Sequence, residues 1–90
     1  MYVVRLKSND SIFNFRAYTS RTLARSSFEA GRNQVIDDGL QESALFVVPS
    51  ANDSMTAIRL VRGGRAARLR IYPPPMTQLQ AAAWLADLDL

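Results

Sequence analysis

Between Ser43 and Pro49 the chain runs through five apolar residues without interruption, Ala44-Leu45-Phe46-Val47-Val48. A segment that short cannot stand as a free helix and reads as a strand. With no polar residue at alternate positions, the strand has no face to offer water and needs apolar cover on both sides of its sheet. A chain of 90 residues, read as one domain over 1–90 with a modest core, has few elements with which to supply that cover.

Six further segments can be placed by pattern. Tyr2 to Lys7 alternates apolar and charged residues, the period of a half-buried strand. The turn-forming cluster Ser8-Asn9-Asp10-Ser11 then leads into a second extended run, Ile12 to Tyr18. From Arg21 to Asp37 the spacing of Ala24, Phe28, Gly31 and Val35 draws one apolar stripe, with Thr19 or Ser20 as the N-cap and Gly39 as the left-handed stop, which predicts an amphipathic helix. Its outer side carries Arg21, Arg25, Glu29 and Arg32 at ion-pair spacing. Thr56 to Arg62 and Arg65 to Tyr72 flank Gly63-Gly64, which predicts a β-hairpin. After Pro73-Pro74-Pro75 the Ala- and Leu-rich segment from Met76 to Asp87 predicts a second helix. The expected fold is α+β, a two-layer sandwich of order ββαβββα. Its mainly antiparallel sheet has four to five strands, and the helices at 21–37 and 76–87 cover one face.

Residue types limit the chemistry. The chain contains no cysteine and no histidine, which removes disulfides, thiolate metal sites and the usual general base. Asp37, Asp38 and Glu42 lack the spacing of a calcium loop. No catalytic, metal-binding or cofactor-binding residue is therefore assigned, and no cofactor is expected. Arg5 and Lys7 interrupt the apolar start that an export signal needs, and the apolar stretch from Leu79 to Leu90 is too short to span a bilayer, which points to the cytoplasm.

Charge is distributed unevenly: residues 1–36 carry six basic and two acidic side chains, residues 37–55 four acidic ones, and residues 56–72 five arginines with no acid. Across the expected hairpin Arg59 faces Arg68, with Arg70 on the same side and Arg5 and Lys7 extending the basic face. Such a surface suits phosphate or acidic groups, because guanidinium forks bind them bidentately. At the other end, Trp84, Leu85 and Leu88 exceed the apolar stripe that a surface helix needs and form a candidate protein interface. The first functional expectation is a non-catalytic interaction module that self-associates as a homodimer or binds a protein partner, since nothing in the two-layer arrangement covers the second face of the strand at 44–48. The alternative is nucleic-acid binding through Arg5, Lys7, Arg59, Arg68 and Arg70. A small metal-independent RNase-like activity, using arginine, tyrosine and carboxylate groups, is the third.

Overall fold

The computed structural model describes residues 1–75. Strands β1 (Tyr2–Lys7) and β2 (Phe13–Tyr18) form a hairpin, followed by helix α1 (Arg21–Ile36), strand β3 (Glu42–Val47), helix α2 (Ser54–Arg62) and strand β4 (Ala67–Tyr72). The sheet has the order β2-β1-β3-β4, and each neighbouring pair is antiparallel. The α+β class and the four-stranded antiparallel sheet match the expectation from the sequence.

The element before Gly63 departs from it. Ser54–Arg62 is a helix, so there is no hairpin across Gly63-Gly64. Asp53 caps the helix by accepting the Thr56 amide at 2.8 Å and the Thr56 hydroxyl at 2.9 Å. These bonds, the amide first and the hydroxyl second, hold the exposed Asp53 carboxyl below its ordinary pKa, with a further contribution from Arg59. At the other end the Gly64 amide donates to Val61 O and the Arg65 amide to Leu60 O, with Gly64 at φ +71°. That pattern closes a helix through a left-handed residue. A Gly-Gly pair serves a tight hairpin and a helix stop equally well. Packing selects the helix, because Ala57 and Val61, four apart, are both buried.

The two helices lie on opposite faces of the sheet. Val3, Ala44 and Phe46 pack with Ala57 and Val61 of α2, while Val4, Leu6 and Leu45 pack with Ala24 and Phe28 of α1. Adjacent strand residues point to opposite faces, so Val3 and Val4 belong to different cores. α1 and α2 therefore cover opposite faces, and the described residues form three layers instead of the two expected. α2 supplies, within the monomer, the cover that the strand at 44–48 demanded and that the self-association expectation assigned to a second molecule. The expected helix at 76–87, with Trp84, Leu85 and Leu88, lies outside the described residues.

Gly31 lets α1 approach the sheet closely: a Cβ there would sit 2.5 Å from Leu6 Cδ2 and 2.6 Å from Ser43 Oγ. Ser43, fully buried, donates to Phe28 O at 3.0 Å, which satisfies its hydroxyl inside the core. No helix among the described residues is long and apolar enough to cross a membrane.

Candidate functional site

The five basic residues expected on one surface are divided by the sheet. Arg5 and Lys7 pair in register with Ala44 and Glu42, on the α2 side. Arg59 is exposed on α2 and no longer faces Arg68. Between β3 and β4 the register slips: Leu45 pairs with Arg70, whereas Phe46 pairs with Arg68, leaving Leu69 as the extra residue of a bulge. In a regular strand Arg68 and Arg70 would share a face. The bulge sends Arg68 to the α2 side, with Phe46, and Arg70 to the α1 side, with Leu45.

On the α2 side three of the cations, Arg5, Lys7 and Arg62, are already engaged, whereas Arg59 and Arg68 are exposed. The Arg5 guanidinium bonds to Glu42 Oε1 at 2.7 Å and lies 4.8 Å from the Phe13 ring centre and 5.1 Å from that of Phe46. Lys7 Nζ also lies over Phe13, at 5.6 Å, and Arg62 lies over Phe15 at 4.8 Å. Each of these contacts is worth about 0.5–1 kcal/mol at an exposed ring, and an external anion would compete with them.

The α1 side differs in that its cations line a groove, with one of them, Arg32, also over an aromatic ring. α1 packs chiefly on β3 and β1, and a groove runs between its flank and the edge strand β4. At one end Arg21, Arg25 and Arg70 surround a cavity of about 190 Å³ whose floor and wall are Leu45 and Leu69. At the other, Arg32 and Arg70 join Phe28, Tyr72 and Pro74 around a cavity of about 350 Å³. Arg70 belongs to both and makes the groove continuous. Arg21, Arg25 and Arg32 recur at intervals of four and seven, the spacing of one helix flank, and with a rise of about 1.5 Å per residue they span about 16 Å. Arg32 lies 5.9 Å from the Tyr72 ring centre. Among the described residues the one ion pair is Arg5–Glu42, so no carboxylate of residues 1–75 lies within ion-pair distance of any of these four guanidiniums. The pairs that spacing offered to Glu29 from Arg25 and Arg32 do not form.

Of the five basic residues expected on one surface, only Arg70 belongs to the groove. Arg21, Arg25 and Arg32 were legible as one outer stripe of a helix. What sequence lacked was the edge strand that faces them. Among the described residues no group of three His, Cys, Asp or Glu side chains is placed to hold a metal ion. The chain matches no protein-family model, no curated protein and no solved structure.

Proposed function

We propose that this protein binds nucleic acid, holding a phosphate backbone in the groove between α1 and β4. The observation that carries the reading is the convergence of Arg21, Arg25, Arg32 and Arg70 on one groove, with no carboxylate among the described residues paired to any of them. Four like charges on one surface repel one another, and a row of phosphates supplies the counter-charge. Guanidinium groups bind phosphate oxygens bidentately, and such backbone contacts are independent of sequence. Phe28 is buried and Tyr72 is half-buried beside Arg32, so stacking on bases contributes little, and charge dominates the affinity.

Four phosphate contacts set the expected salt dependence, a log-log slope of about −3.6 for duplex and about −2.8 for a single strand. The test is a titration of fluorescently labelled duplex and single-stranded oligonucleotides at about 50 and 200 mM salt, the range over which such affinity falls steeply. Binding with a slope near either value supports the reading. Absence of binding at the lower salt contradicts it. Poly-glutamate that displaces the oligonucleotide at equal charge concentration would shift the assignment to an acidic protein partner.

A further inference from the structure

The two ends of the groove differ in what they can hold. Toward Tyr72 a single additional arginine, Arg32, joins Arg70 in an aromatic-walled space. Toward the start of α1 three guanidiniums, Arg21, Arg25 and Arg70, share one cavity of about 190 Å³. A phosphodiester within a strand carries one negative charge and two free oxygens, fewer than three guanidinium forks are able to use. A phosphate monoester carries nearly two charges and three acceptor oxygens.

We infer that the cavity formed by Arg21, Arg25 and Arg70 is a site for a terminal phosphate monoester, so that the protein prefers nucleic-acid strands whose end is phosphorylated. The inference rests on the nucleic-acid reading of the groove. The local backbone supports it, since the bulge at Leu69 turns Arg70 toward the helix instead of leaving it beside Arg68. Bulges serve this re-aiming of side chains next to binding sites. Leu45, buried at the floor, and Leu69 on the wall remove water from one side of the cavity, which strengthens charge-assisted hydrogen bonds made there. Arg25 and Arg21, four apart on α1, approach the same point from the helix, and no acid stands in its first turn.

The experiment uses the full chain and three oligonucleotides of one sequence, ending in a 5′-phosphate, a 3′-phosphate or hydroxyls only. A phosphorylated end is expected to bind about tenfold tighter or more, the yield of one additional hydrogen-bonded charge. The preference is expected to disappear in Arg70→Gln and to shrink in Arg70→Lys, which keeps the charge and loses the fork. Arg70 is exposed, so both variants are expected to fold, and circular dichroism checks this. Equal, salt-steep binding of all three oligonucleotides overturns the terminal-phosphate site and leaves the groove's general role intact. Binding of none overturns both. A preference that persists in Arg70→Gln places the terminal phosphate elsewhere and contradicts the inference.

Discussion

At the residue scale, Gly31 and Ser43 set how close α1 lies to the sheet. Gly31→Ala gains about 1 kcal/mol of helix propensity but forces Leu6 and Ser43 to move within a packed core, which costs about 1–3 kcal/mol. A net loss of about 1 kcal/mol in chemical denaturation is expected. Adding Ser43→Ala removes one of the two close obstructions, the hydroxyl, so the double variant should lose less than the sum of the two single losses. Asp38 offers the opposite case. It holds φ +63° as the left-handed residue that ends α1, where its amide donates to Val35 O and the next amide, of Gly39, to Gln34 O. A non-glycine residue there is strained, and a negative charge opposes the helix dipole. Asp38→Gly is therefore expected to raise stability by about 0.5–1 kcal/mol, and an unchanged or lower denaturation midpoint would contradict the assignment. Sequence had put the left-handed residue one position later, at Gly39, because glycine is the usual choice. The stripe of Ala24, Phe28 and Gly31 was readable from spacing alone. The fit of Gly31 against Ser43 was not, because it depends on which strand lies beneath the helix.

At the scale of elements, α2 decides the architecture, and its N-cap decides α2. The Asp53 carboxyl is held below its ordinary pKa of 3.8, first by the Thr56 amide, then by the Thr56 hydroxyl. Its charge-dependent contribution is therefore complete above that ordinary value and is lost as pH falls through the lower folded-state value. Asp53→Asn keeps an acceptor for the amide and removes the titration. The difference in thermal midpoint between the native chain and Asp53→Asn should stay constant from neutral pH down to about pH 5, then change in disfavour of the native chain in more acid solution. Asp53→Ala, with no cap at any pH, should be less stable than the native chain throughout the neutral range. A difference that does not vary with pH would show that the charge at Asp53 plays no part. Strands β1 and β2 and helix α1 were legible because their periods are clean, and β3 because its apolar run is unbroken and short. α2 was not, since Ile58 and Leu60 alternate as in a strand while Ala57 and Val61 recur as in a helix, and nine residues are too few for either period to dominate. The discriminating sign was local: an Asp three residues before a Thr at one end, and arginines in the last turn before a Gly pair at the other.

At the scale of the whole molecule, the charges separate by place. The described residues hold all eleven basic side chains and six of the eight acidic ones. The Asn9 amide donates to Asp38 O at 2.8 Å, which brings the turn carrying Asp10 against the end of α1 carrying Asp37 and Asp38. The arginines of the groove lie along the rest of α1 and the facing edge strand. A field of this kind orients a polyanion before contact and speeds its association at low salt. The arginine-rich character of the chain was legible from composition, whereas the grouping was not. Two differences, a helix instead of a hairpin strand at 54–62 and a bulge instead of a regular strand at Leu69, separate Arg59, Arg68 and Arg70, which a regular hairpin would gather on one surface. The most direct measurement compares two variants with the same loss of charge. One replaces Arg25, Arg32 and Arg70 by Gln in the groove. The other replaces Arg59, Arg65 and Arg68, all exposed and outside it. In oligonucleotide titrations over a salt series, the groove variant should lose about three units of log-log slope and nearly all affinity near 200 mM salt, while the other changes both only slightly through net charge. Equal losses in the two variants, or a larger loss in the second, would contradict a groove between α1 and β4 as the binding surface.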